Sequence, residues 1–136
     1  MEKNKAEFAA VIKDLTSGNI YTGLNDEKMR VFPRFVYHFT DINNAISILK
    51  KGSIYSRNSA NKNSIMAVDN ASKAVIDHTN EDRKDYVRFY FRPKTPTQYI
   101  NEGVRALNQI NTNLNAHCPV PVFFLFDSLE MLSLEN

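Results

Sequence analysis

The chain has 136 residues, about the size of one domain, enough to bury a real core and too few for two. Hydrophobic residues make up 43% and charged residues 24%, ordinary globular usage that excludes a disordered chain, and no apolar run approaches the roughly 18 residues of a transmembrane helix. With 17 basic against 15 acidic residues the net charge is +2, too small to announce a nucleic-acid binder, so any argument for DNA must come from where the charge sits.

The opening Met1-Glu-Lys-Asn-Lys has no apolar h-region of a secretory signal, and the natural reading is a cytoplasmic protein. Cys118 stands alone, which permits no internal disulfide and suits a reducing compartment. His38, His78 and His117 are dispersed and no second cysteine completes a ligand set, so no metal site is expected.

Phe8, Val11, Ile12 and Leu15 recur at helical spacing and predict an amphipathic helix that stops near Gly18 and packs as a flank or lid. After a turn-rich stretch around Gly23, the aromatic and β-branched residues from Phe35 to Thr40 predict a strand ending at Asp41. Ile42, Ala45, Ile46 and Leu49 then repeat at helical spacing, with Thr40 or Asp41 as cap and Gly52 as stop. Ser56 to Asp69, rich in asparagine and lysine, reads as an exposed loop, followed by a short helix around Ala71 to Ile76. The mixed charges from Asp77 to Asp85 read as a solvated turn.

From Asp85 to Arg92, Val87, Phe89 and Phe91 alternate with Tyr86, Arg88, Tyr90 and Arg92, the period of a half-buried strand that Pro93 and Pro96 break. Gln98 to Asn108 is expected to be helical and Asn111 to Pro119 a loop. Val120 to Phe126 is expected to be a buried strand, with Pro121 at its first position or at a sheet edge. A final helix is expected over Ser128 to Leu134, and from Leu125 to Leu134 the leucines and Met131 are expected to pack in the core, with a partner-binding amphipathic end as the alternative. No repeat or boundary interrupts the chain, which reads as a single domain over 1–136.

Two stretches can carry chemistry. In Tyr37-His-Phe-Thr, strand alternation sends His38 and Thr40 to one side and Tyr37 and Phe39 to the other, so two polar groups line one surface just ahead of a helix. The plainer reading is a satisfied structural pair. In Asp85 to Arg92, continued by Lys94 and Tyr99, basic residues interleave with aromatic ones, a pattern that lets cations meet phosphates while rings stack on bases. The same composition also describes an ordinary half-buried strand with snorkelling arginines.

Together these stretches carry a family resemblance. Tyr37-His-Phe-Thr with Ile42, Asn44, Ile48-Leu49 and Gly52 resembles the first NAD-binding motif of the DarT family, toxins that transfer ADP-ribose from NAD to single-stranded DNA. Asp85-Tyr-Val-Arg-Phe-Tyr-Phe-Arg-Pro-Lys-Thr-Pro with Tyr99 and Ile100 resembles its second signature, where Arg88 stands in place of the usual proline. Ser64-Ile65 resembles the opening of the segment between them.

The resemblance implies an α/β (α+β) fold of ADP-ribosyltransferase type, with small mixed sheets and short flanking helices around an NAD cleft. It implies that His38 and Thr40 hold the nicotinamide-ribose half, that Asn44 helps fix the cofactor and that Gly52 lets backbone approach it. Tyr86 and Tyr90 would be aromatic walls, and Arg88, Arg92 and Lys94, with Tyr86, would meet nucleic acid. The implied reaction joins the ribose carbon to a base, usually thymine, and implies a cognate antitoxin.

The match departs from the family in two places. Its catalytic glutamate lies on a later strand, and neither Glu130 nor Glu135 sits in such a motif, so the chain reads as N-terminally complete and C-terminally shortened. A functional arginine of the family aligns with Lys73 and Ala74, where Lys73 supplies a positive charge without the planar fork of arginine. Two other readings stay open: a catalytically incomplete NAD- or DNA-binding module, truncated or regulatory, and a plain protein-interaction domain.

Overall fold

The computed structural model describes residues 5–29, 32–92, 96–109 and 116–134. In chain order the elements are α1 (Lys5–Thr16), α2 (Asp26–Met29), β1 (Phe35–Asp41), α3 (Ile42–Lys51), α4 (Arg57–Lys62), α5 (Lys73–Asp77), a 3-10 turn (Glu81–Asp85), α6 (Pro96–Ile100), a second 3-10 turn (Leu107–Gln109), β2 (Pro121–Asp127) and α7 (Ser128–Ser133). Short helices with a small two-stranded sheet make this an α+β chain.

β1 and β2 pair antiparallel, and the bonds that flank the ladder fix its register. Ser128 N donates to the Arg34 carbonyl at 2.9 Å and Ile42 N to that of Val120 at 3.1 Å. Val36 therefore lies opposite Phe126, His38 opposite Phe124 and Thr40 opposite Val122, all on one face by the two-residue alternation of strands. On its other edge β1 makes a single bridge among the described residues, in which Tyr37 and Tyr90 exchange N–H···O bonds of 2.7 and 2.8 Å.

Contacts divide the chain into two compact units, each with its own interior. The first takes in Met1–His38, Phe89–Arg92 and Phe124–Asn136. Here α1 packs against α7, and Lys5 Nζ meets Glu130 Oε1 at 2.6 Å. Asp127 caps α7 by accepting from Leu129 N and Glu130 N at 2.9 and 3.1 Å, which satisfies amides that have no partner inside the helix. Buried Ser128 donates its hydroxyl to the Pro33 carbonyl at 2.5 Å, and Val36 and Tyr37 supply the apolar interior. The expectation that the closing leucines are core is corrected: Leu125 and Leu134 are 54% and 56% exposed.

The second unit takes in Phe39–Arg88 and Pro93–Phe123. Asp41, not Thr40, caps α3, its carboxylate accepting from Asn43 N at 2.8 Å, and Gly52 ends the helix in the left-handed region at φ 67°, as the sequence predicts. Gly103 packs directly on Ala116, and Cys118 N returns to the Gly103 carbonyl at 3.0 Å, so a buried seam joins the segment after α6 to the one before β2.

Three local expectations fail for physical reasons. Ser56 to Asp69 is not all loop, because the Ser56 hydroxyl accepts from Ser59 N and starts α4, a helix whose one buried residue, Ala60, leaves no apolar periodicity to read. Asp85 to Arg92 is not a ladder strand: its start is spent in the 3-10 turn and only Tyr90 bridges β1. The backbone is extended at Tyr86, and the alternation survives without a ladder only as far as Phe89, with Val87 and Phe89 half-buried and Tyr86 and Arg88 exposed; beyond it Tyr90 is half-buried and Phe91 exposed, against the expected pattern. Gln98 to Asn108 is helical only to Ile100 before the left-handed Gly103.

Candidate functional site

β1 carries both His38 and Thr40, two positions apart and on the same side of the strand by its alternation. In the first unit the His38 ring lies 5.9 Å from the Phe89 ring, and Phe89 in turn meets Phe126 edge-on at 5.7 Å. An aromatic lining therefore flanks the imidazole, a setting that suits a flat heteroaromatic ring as well as it suits packing. Tyr37, on the opposite face, is buried, and burial raises its phenol pKa. Tyr90 is held at the bridge by its backbone, while Arg92 in the same unit is exposed.

In the second unit Thr40 is half-buried, and its hydroxyl has no hydrogen-bond partner among the described residues. Asn44 is fully employed by its own chain: its amide accepts from Ala67 N and Val68 N at 2.8 and 3.0 Å and donates to the Val68 carbonyl at 2.7 Å. It pins the 67–68 segment to α3. Gly52 has open space where a Cβ would stand with respect to the protein itself, and its left-handed backbone favours glycine there. Lys73 opens α5 on the surface. Lys94 lies outside the described residues, as does Glu135.

The second unit also holds a cleft of about 460 Å³, lined by His78, Thr79, Asn80, Arg83, Tyr86 and Arg88. It brings together Tyr86 and Arg88, two of the residues expected to meet nucleic acid, while Asn44, Gly52 and Lys73 do not line it. His78 and Arg83 were hidden in the charge run read as a solvated turn, where no motif or periodicity singles them out. Tyr99, the outlying aromatic of the second signature, carries the Arg105 guanidinium over its ring at 5.2 Å.

A further charged group escaped the sequence reading. Burial pushes the Glu102 carboxyl pKa up, the charges of Arg57 and Arg88 pull it part of the way down, and Asp69 adds to the rise. Arg57 is itself paired with Asp69. Glu130, by contrast, is an exposed partner of Lys5. Among the described residues no group of His, Cys, Asp and Glu could hold a metal ion, and no helix is long and apolar enough to cross a membrane.

A sequence model of the family described as "ssDNA thymidine ADP-ribosyltransferase, DarT" matches residues 37–124, well over half of the chain. No curated protein and no solved structure matches it. The matched stretch starts at Tyr37, runs through β1 and α3 to the cleft, and ends within β2.

Proposed function

The chain belongs to the DarT family, and from that membership we propose that it is an NAD-dependent ADP-ribosyltransferase that marks thymine in single-stranded DNA and acts in the cytoplasm as the toxin of a toxin–antitoxin pair. The observation that carries the reading is the family match over residues 37–124, a range within which His38, Thr40, Asn44, Gly52, Lys73, Tyr86 and Tyr90 all fall.

In this reading the fold is of ADP-ribosyltransferase type and NAD is a substrate. The polar groups of β1 fit it: a carboxamide offers both donors and acceptors, and a threonine hydroxyl with no described partner and an imidazole two positions earlier on the strand can answer both. His38 and Thr40 hold the nicotinamide-ribose half, and the rings about His38 exclude water from it. Asn44 acts through the 67–68 segment that it fixes, and Gly52 shapes the chain after α3. Lys73 supplies a positive charge, and Tyr86, Arg88, Arg92 and Lys94 meet the DNA strand.

The bond from the ribose carbon to nicotinamide breaks with its electron pair leaving on nicotinamide, a new bond forms from that carbon to a ring atom of the base, and the base loses a proton. Positive charge builds on the sugar along the way, so orientation of the leaving group and exclusion of water are the main services of the residues named. Transfer of ADP-ribose from NAD to a thymine-containing single strand, with a thymine-free strand as control, tests the reading.

A further inference from the structure

The cleft at residues 78–88 has a charge balance that the surrounding sequence conceals. This segment holds Glu81, Asp82 and Asp85, but none of them is among the residues that line the cleft; Glu81 is paired with a cation, and the other two accept from neutral N–H groups. Glu81 Oε1 takes Lys84 Nζ at 2.6 Å, Asp85 Oδ1 accepts from Asn58 Nδ2 at 2.9 Å, and Asp82 Oδ1 accepts from Arg83 N at 2.9 Å. The Lys84 side chain is only 10% exposed, so that cation is folded away. Arg83 takes part in no ion pair with a described residue, and it lines the cleft with Arg88.

The other lining groups favour a nucleotide over a bare anion. Tyr86 is 71% exposed and offers most of a ring to solvent at the cleft. His78 Nδ1 lies 2.7 Å from the Ala74 carbonyl, which can only accept, so Nδ1 is the donor there and Nε2 is the nitrogen left to meet a ligand. Thr79 gives its hydroxyl proton to the Val75 carbonyl at 2.7 Å and keeps its lone pairs. Two guanidiniums, a presented ring and a rim of polar groups, in a volume of about 460 Å³, are far more than one phosphate requires.

We infer that this cleft is a binding site for a single DNA strand, in which Arg83 and Arg88 hold a backbone phosphate, Tyr86 stacks on a base, and His78, Thr79 and Asn80 meet that base's polar edge. The inference rests on the reading of the chain as an enzyme of single-stranded DNA, and it adds a place for the strand that includes His78, Asn80 and Arg83. The shared chemistry, a phosphate beside a base, is also that of NAD; the proposed reading gives NAD to the β1 residues His38 and Thr40, which leaves this cleft to the strand.

The test uses the whole chain and a fluorescent mixed-sequence single-stranded oligonucleotide, read by anisotropy over a range of salt, with NAD binding read separately by thermal shift. Arg83→Ala is expected to weaken strand binding about tenfold and to lower the salt slope by about 0.7, the loss of one phosphate contact. Arg83→Lys should keep the slope, Tyr86→Ala should weaken binding about tenfold with the slope unchanged, both alanine variants should keep the wild-type circular dichroism, and Arg83→Ala should keep the NAD response. Strand binding that is absent in wild type, or equal in wild type and both alanine variants, overturns the assignment, as does loss of the NAD response in Arg83→Ala with strand binding intact. Arg83-dependent strand binding without any ADP-ribose transfer supports the cleft and counts against the proposed reaction instead.

Discussion

Gly103 meets Ala116 so closely that a Cβ on the glycine would stand 2.0 Å from the Ala116 carbonyl oxygen and 2.6 Å from the His117 Cα. Both neighbours are backbone, so nothing flexible can swing aside, and Gly103 also sits at φ 66°, a region that side chains disfavour. This seam ties Glu102 and Cys118 into one buried corner of the second unit.

Gly103→Ala should therefore be among the most damaging small substitutions in the chain. Left-handed strain contributes about 1–2 kcal/mol and overpacking a further 1–3 kcal/mol, whereas Gly18→Ala meets only the first penalty because nothing lies within 4 Å of its Cβ site. Urea unfolding of the two variants measures the difference, and equal midpoints would contradict the packing of this seam.

Cys118 is 1% exposed, and burial, helped by the charges of Asp41 and Glu102, pushes its thiol pKa up to about 11, against a hydrogen bond from Asn70 that pulls the other way. A thiol so held is a poor nucleophile. At pH 8 it should resist iodoacetamide in the folded protein and react promptly in denaturant. Because its folded value lies above the ordinary 9.0, its contribution to stability is complete below about pH 9 and is lost as pH rises through about 11. Cys118→Ala should flatten the stability curve over that alkaline interval, and a curve that falls as steeply as wild type would assign the loss elsewhere.

Glu102 obeys the same sign. Its raised value means that the fold prefers the protonated acid, so stability is greatest below the ordinary value of 4.5 and declines as pH climbs through the folded value. Glu102→Gln should match wild type in acid and equal or exceed it at neutral pH, because burial outweighs the pull of Arg57 and Arg88. A marked loss at neutral pH, read from chemical unfolding, would show that those arginines need the carboxylate more than burial opposes it.

The strand-turn-helix unit at Tyr37 to Gly52 was legible because period, cap and stop agree there, down to the Asp41 carboxylate and the left-handed glycine. So was the presence of β2, an apolar run beginning at its proline, although its residues are half-buried or exposed and not the buried strand expected. Polar caps proved harder: Ser56 starts a helix that has no apolar stripe to announce it. The segment from Tyr86 to Phe89 kept the alternation of a strand without its hydrogen bonds, because period records side-chain exposure and not pairing. Of the candidate site, Tyr86 and Arg88 were visible as interleaved charge and ring, whereas His78 and Arg83 depend on a cleft that only folding makes.

The NAD assignment on β1 makes its own demand. His38→Ala should abolish the rise in melting temperature that NAD gives the wild-type chain, and Thr40→Val should reduce it by loss of one hydroxyl contact. Thermal shift measures both, and an undiminished response in the His38 variant would remove the imidazole from the site.

The most direct measurement is the intact mass of a thymine-containing single-stranded oligonucleotide after incubation with this chain and NAD. ADP-ribose transfer predicts one added ADP-ribose mass, released nicotinamide in equal amount, no change on a thymine-free strand and none with His38→Ala. An oligonucleotide that returns unmodified, from a chain that demonstrably binds both NAD and the strand, would contradict the proposed activity.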